Sequence, residues 1–318
     1  MPASRRRAPA RAALALVAAA LTLLGASSAA QAATNPIAMT VKVGYSTFVK
    51  AQQWMPVTVD LTNNGPAVDG TLEVTAGLAP GAGGQPFEAA IYQTPVSLPA
   101  GATKHLRTYV VEDQVPSVVS ARLVANGREL VSTDSQTNNS ATTLIGVLSD
   151  QGTAFDGFSA QHPGSINASV AHLSLDDVGE SGVLLRAFDL LVIDDFATDT
   201  LTAAQRTAIT DYVQNGGELL LGTGASWRKT LAGVSAGILP MQIDGTTTIS
   251  PGLDTLGPVE VATGPLNAGA TAWLSGADRP LLAERFVGAG TVTVATFDWN
   301  QDPIASWKGT DALLRHAA

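Results

Sequence analysis

The chain has 318 residues, 45% of them hydrophobic and only 14% charged, with a formal net charge of −9. Four of its basic residues, Arg5, Arg6, Arg7 and Arg11, crowd into the first stretch, so the remainder is more acidic still and repels phosphate backbones and anionic lipid; nucleic-acid binding is disfavoured. The absence of cysteine excludes disulfides, thiol catalysis and thiolate metal sites, and leaves stability to packing.

The N-terminus reads as a leader. MPASRRRAPARAA is a basic region, ALALVAAALTLLGA a short apolar one, and Ala30-Gln31-Ala32 a small-residue cleavage site, which predicts a signal peptide over residues 1–32. The apolar run is shorter than the roughly 20 residues of a comfortable span, and the cleavage site argues against an uncleaved anchor. Ser4-Arg5-Arg6 hints at twin-arginine export, although the apolar residues expected after the pair are missing. The expected location is extracytoplasmic, secreted or at the cell surface.

Residues 37–131 show short alternating runs separated by turn residues. In PVTVDLTNNG, Val57, Val59 and Leu61 share one face and Thr58, Asp60 and Thr62 the other. Asn126-Gly127, between VVSARLVA and RELV, is a type I′ hairpin signal. Six or seven such strands predict a β-sandwich. Through WMPVTVDLTNNG followed by GTLEVT, the segment resembles a bacterial immunoglobulin-like domain, which implies a spacer or adhesion module. The polar run Ser132–Ser140 makes 132–142 the expected linker.

From 143 onward the period changes. TLIGVLSD, ASVAHLSL and DLLVIDD are nearly unbroken apolar runs, as expected of strands buried on both faces. LTAAQRTAITDYVQNGG follows as a helix: Thr202 and Gln205 fit a capping box, Ala208, Ile209, Tyr212 and Val213 line one face, and Asn215-Gly216 is the stop. GELLLG is the next strand, and this alternation predicts a mainly parallel sheet over 143–318. RPLLAERFVGAGTVTVATFD reads as a hairpin turning at Gly288-Ala289-Gly290, and a last helix is expected from Ser306 to His316.

In open α/β sheets ligands collect at the carboxyl ends of the strands. Those ends supply Asp150, Asp194, Asp195, the turn Gly222–Ser226 and Asp298. The run DLLVIDDF…LTAAQRTAITDYVQNGGELLLGTGAS, with VTVATFDWN near the end, resembles the class I glutamine amidotransferase-like family from about Leu144 to Ala317. The resemblance implies a flavodoxin-like α/β domain following the sandwich. Active members carry a cysteine on a sharp turn and a His-Pro-Glu run after a late strand. By that resemblance Gly224 stands at the cysteine position, Asp298 at the histidine and Asn300 at the glutamate, so nucleophile, base and orienting carboxylate are all replaced. Acyl transfer needs an activated nucleophile paired with a base. The expectation is a non-enzymatic, exported envelope protein that binds or scaffolds, with no cofactor and no catalytic residues.

A second reading is a carbohydrate-active or metal-dependent hydrolase using the strand-end carboxylates. The ligand-binding candidates are Asp194, Asp195, Thr223, Ser226 and Asp298. Oxygen-seeking Mg²⁺ or Ca²⁺ would suit the three aspartates, but carboxylates there equally cap helices or face water, and no metal ligands are assigned. A Ser–His hydrolase would pair Ser226 with His105, His162, His172 or His316, yet no Gly-x-Ser-x-Gly elbow is present. Trp227 and Trp299 follow strand ends, where they would either stack on a sugar or pack under loops. The expected partner is an envelope protein or a glycan of unknown identity. Membrane contact would come only through a C-terminal anchor beyond Leu313-Leu314-Arg315-His316-Ala317-Ala318, since similar envelope proteins continue to a membrane helix.

Overall fold

The computed structural model describes residues 36–77, 90–114, 118–137, 139–159 and 168–317. The leader with its cleavage site and His162 lie outside the described residues, and the His316 side chain is not described.

The alternating N-terminal runs form β1 (Ile37–Val43), β2 (Phe48–Val49), β3 (Met55–Asn63), β4 (Val68–Gly77), β5 (Ile91–Leu98), β6 (Thr103–Val110), β7 (Val118–Ala125), β8 (Arg128–Gln136) and β9 (Asn139–Ser140). Two antiparallel sheets result, ordered β1-β3-β6 and β5-β4-β7-β8. Period-two patterning drives this: Val57, Val59 and Leu61 of β3 are fully buried with Leu72, Val74, Val119, Ala121 and Leu123 in one core. Asn126-Gly127 makes the β7–β8 hairpin turn, both residues at positive φ as a type I′ turn requires. Ser132–Gln136 of the polar run continue β8, and β9 pairs in parallel with β2.

The later runs form β10 (Thr143–Leu148), β11 (Ala168–His172), β12 (Leu190–Ile193), β13 (Glu218–Gly222), β14 (Gly245–Ile249), β15 (Val259–Thr263), β16 (Ala270–Gly276), β17 (Arg279–Val287) and β18 (Gly290–Ala295). Among the described residues four α-helices accompany them: α1 (Gly182–Leu185), α2 (Ala203–Gln214), α3 (Trp227–Leu231) and α4 (Thr310–Ala317). A seven-stranded sheet is ordered β11-β10-β12-β13-β18-β17-β16. Its first five strands are parallel neighbours, whereas β16, β17 and β18 pair antiparallel, and β14-β15 form a separate antiparallel ladder.

This corrects the expected class. The chain is not an immunoglobulin-like sandwich followed by a flavodoxin-like, mainly parallel α/β domain: strand far outweighs helix, the large sheet is mixed and several sheets are antiparallel. The physical reason lies between 227 and 287. Continued strand–helix alternation would need a second long crossover helix there. That stretch instead makes the short α3 and then strands rich in Thr and Val, whose branched side chains favour extended backbone. The final helix also starts later than expected, at Thr310 rather than Ser306.

α2 follows its sequence signals closely. The Thr202 hydroxyl accepts from the Gln205 N–H while the Gln205 side chain accepts from the Thr202 N–H, so two otherwise orphaned donors are satisfied. Its buried face packs Ala208, Ile209, Tyr212 and Val213 on one side of the large sheet against Leu191, Ile193, Leu219 and Leu221. On the other side Leu313 and Leu314 of α4 join Phe155, Phe158, Leu220, Phe297 and Trp299.

Tyr45, in the turn after β1, belongs to the core of the large sheet. Its ring lies 4.6 Å from that of Phe188, and its hydroxyl donates to the Leu184 carbonyl at 2.9 Å. Lys50–Asp189 and Arg107–Asp177 ion pairs likewise join the N-terminal segment to residues 177–189. Tyr45→Phe is expected to keep the packing and lose one hydrogen bond, lowering unfolding stability by about 1 kcal/mol in urea titrations.

Candidate functional site

The parallel registers Leu148↔Ile193, Ile193↔Leu221 and Gly222↔Ala295 align four strand ends along one edge of the large sheet. β10 ends in Ser149-Asp150, β12 in Asp194-Asp195, β13 in the turn Thr223–Ser226 and β18 in Thr296–Asn300. The sequence-predicted residues therefore meet, and most are held by direct bonds.

The Asp298 carboxylate accepts from the Asn300 N–H at 2.8 Å and from the Ser226 hydroxyl at 3.1 Å. Ser226 also donates toward the Thr223 carbonyl at 3.0 Å, so its hydroxyl is already engaged. The Asn300 side-chain amide donates to Asp194 Oδ2 and reaches Ser149 Oγ at 3.4 Å. Asp194 is fully buried, and its Oδ1 has no hydrogen-bond partner. That oxygen packs instead against the bare backbone of Gly222, where an added Cβ would lie 1.7 Å away.

Burial above all, then the Asp298 charge, pushes the Asp194 carboxyl well above the usual carboxylate range; the Trp299 N–H and the Asn300 amide pull the other way. Asp298 is raised chiefly by burial, against the opposing hydrogen bonds from Asn300 and Ser226. Asp195 stands apart from this pair. It sits at φ 46, a left-handed conformation that aspartate tolerates. There its carboxylate and its backbone carbonyl both accept from the Lys229 ammonium, at 3.0 and 2.9 Å.

Lys229 is the member that sequence reasoning missed. It extends from α3 to Asp150 at 2.6 Å as well as to Asp195. Its pKa is raised, first by the Asp150 hydrogen bond, with burial opposing and Asp195 assisting. The only available signal was a cation a few residues past the turn, on the helix that the turn opens. Lys229→Ala should cost about 1 kcal/mol, less in high salt, because Lys229 and Asp150 are partly exposed.

The turn itself is packed shut. Thr223 is fully buried, and its hydroxyl donates to the Ala295 carbonyl at 2.7 Å. The backbone N–H groups of Thr223 and Gly224 donate to Phe297 and Thr296 carbonyls, each at 3.0 Å. Donors committed in this way are not aimed at a developing oxyanion. Gly224 has φ 60, and a Cβ there would lie 2.8 Å from the Asp298 nitrogen and 3.2 Å from Phe297 backbone carbons. A nucleophilic side chain has no room at that position.

The remaining candidates fall elsewhere. His172 pairs with Asp156 at 2.9 Å and His105 with Asp60 at 2.6 Å. Trp299 is fully buried beside Phe297 and Phe155, which removes it as a stacking platform. Trp227 is covered by the Arg228 guanidinium, 4.3 Å from its ring centroid. Among the described residues no group of three or more His, Cys, Asp or Glu side chains is arranged to hold a metal. None of their helices is long and apolar enough to cross a membrane.

Residues 36–138, which span β1 to β8, match a domain of unknown function, DUF8726. No curated protein matches the chain. Among solved structures, the cytoplasmic protein STM1381 of Salmonella typhimurium LT2 is similar at 15% identity and TM-score 0.41, covering 54% of this chain and 96% of that one. The cytoplasmic protein STM3548 of Salmonella typhimurium gives 15% identity and 0.41, over 55% and 97% of the two chains. The exo-β-1,4-mannosidase Op5Man5 of Opitutaceae bacterium strain TAV5 gives 15% and 0.33, over 56% and 34%. Likenesses this distant carry no argument for fold or activity, so the functional reading rests on the strand-end geometry.

Proposed function

We propose that the chain is a non-enzymatic protein of the cell envelope, exported by its N-terminal leader, that works by binding or scaffolding. One observation carries this reading: the backbone of Phe297-Asp298 fills the space in front of the Gly224 turn, and the Thr223 and Gly224 N–H groups are spent on the Phe297 and Thr296 carbonyls just past β18. A strand-end edge used for group transfer needs an open position for the reacting atom within reach of nucleophile and donors. Here Ser226, Asp298, Asn300 and Asp194 bond one another instead. The acidic balance keeps nucleic acid away, and an envelope protein or a glycan is the partner class.

The test is turnover by purified mature protein on glutamine and on a panel of envelope glycans. Neither ammonia release nor glycan cleavage above the buffer rate is expected. Robust turnover abolished by Asp298→Ala would overturn the reading. One observation favours the hydrolase alternative: a buried carboxyl with raised pKa, Asp194, near a second raised carboxyl, Asp298. That alternative expects Asp298→Ala to remove activity on whichever substrate is cleaved, and unchanged activity would eliminate it.

A further inference from the structure

β1 and β8 are each the edge strand of their own sheet. The Thr133 hydroxyl donates to the Met39 carbonyl and ties the two together there. Farther along, β2 and β9 pair in parallel, Phe48 with Asn139 and Val49 with Ser140. Between those ties both chains advance in the same sense, but the first carries a surplus, the turn Gly44–Thr47. There the two chains part around a groove of about 580 Å³, whose lining includes Val41, Val43, Ser135, Gln136 and Asn139. It shares no residue with the strand-end site.

The hydrogen-bonding phase of β1 follows from two contacts. Lys42 faces Thr58 and Val43 faces Val57, so Gly44 faces Pro56, and the Gly44 N–H does donate to the Pro56 carbonyl at 2.9 Å. Asn63, opposite Ile37, sends its N–H away from β1 to Ala102. Even-numbered residues of β1 therefore exchange bonds with β3, and odd-numbered ones turn N–H and C=O outward. Met39 shows the pattern, since its outward carbonyl is the one Thr133 reaches. Val41 and Val43, both in the groove's lining, turn the same groups away from β3 without a ladder partner among the described residues.

Two further observations mark the gap. Ser46 and Thr47 lie at φ 46 and φ 75, unfavourable for any side chain and most of all for β-branched Thr. The turn is held there by Ser46 donating to the His172 carbonyl and the Asn139 amide donating to Thr47 Oγ1. Strain fixed by surrounding bonds is a feature of ligand clamps. Lys42 and Asp176 are also among the lining residues, and neither side chain forms an ion pair among the described residues.

We infer that this gap binds a short extended peptide, which adds to β1 as a strand through the N–H and C=O groups of Val41 and Val43. Lys42 would receive a carboxylate of the peptide and Asp176 an ammonium. Outward donors and acceptors recurring at a two-residue interval call for a partner with the same repeat, which extended backbone supplies and a saccharide does not. The inference names a binding site without relying on the strand-end reading.

The probes are blocked pentapeptides alternating Val and Thr between a Glu and a Lys, in both orders, titrated into isotope-labelled full chain. Binding is expected to slow amide exchange at Val41 and Val43. Val41→Pro removes only an outward N–H at a position where an edge strand accepts proline, while Val41→Ala keeps that donor. Affinity should fall about tenfold in the first, as expected for one lost hydrogen bond, and stay close to wild type in the second. Should Val41→Pro fail to fold, Lys42→Glu serves instead and is expected to weaken binding while retaining the thermal transition. The inference is overturned if no probe protects these amides, if affinity is unchanged in the variant that folds, or if chitotetraose protects them and the peptides do not.

Discussion

Gly222→Ala is expected to destabilise the protein by about 3 kcal/mol or more, a large loss for so small a change, because overpacking here has nowhere to relax. The new methyl would lie 1.7 Å from Asp194 Oδ1, 2.6 Å from its Cγ and 3.0 Å from Trp299. Asp194 is held by Asn300, and Trp299 is wedged between Phe297 and Phe155, so neither can swing aside. Gly224→Cys, which would put a thiol at the turn, meets backbone rather than side chain and adds the cost of a side chain at φ 60. It should lower stability by a similar amount and create no acyl-transfer activity. Urea unfolding of both variants, with an ammonia-release assay on the second, checks this; a Gly224→Cys protein of wild-type stability with glutaminase activity would refute the filled-turn account.

Local signals and long-range packing explain what could be read in advance. The α2 capping box, the Asn126-Gly127 hairpin and the β17–β18 hairpin were legible because each depends on residues a few positions apart. The unbroken apolar runs of β10, β12 and β13 likewise announced strands buried on both faces, and they do lie side by side in parallel. The error was to extend that alternation over 227–278, where β14 and β15 pair antiparallel and β16 pairs antiparallel with β17. GTTTI and ATAWLSG alternate between exposed and only partly covered positions, and their sequences carry little apolar alternation to oppose the extrapolation.

At the site, sequence supplied the right residues and the wrong relations among them. That Asp194 would bond Asn300, and Asp298 would bond Ser226, depends on registers joining segments far apart in the chain. Lys229 went unseen for the same reason: nothing local says that its ammonium reaches back to β10 and β12. The closure of the turn depends on one more long-range fact, the course of Phe297-Asp298 across Gly224.

The Asp194 carboxyl should make stability fall as pH rises from acid toward neutrality. Its folded pKa is raised above the unfolded value, so between the two the native state binds more protons than the unfolded state, and each step up in pH favours unfolding. The contribution is fully favourable below the unfolded pKa and is lost as pH passes the folded one. Asp298 shifts in the same direction and adds to the slope. Asp194→Asn removes the titration while keeping an oxygen for the Asn300 amide and the Trp299 N–H, so it should flatten the profile and match or exceed wild-type stability at neutral pH. Asp194→Ala also removes the titration but takes the acceptor from the buried Trp299 N–H and from the Asn300 amide, at a cost of about 3 kcal/mol. Urea midpoints at pH 4, 6 and 8 separate the three proteins. A wild-type midpoint that rises with pH, set against a flat Asp194→Asn profile, would mean that Asp194 is ionised in the native state, stabilised by charge rather than held neutral by its burial against Gly222.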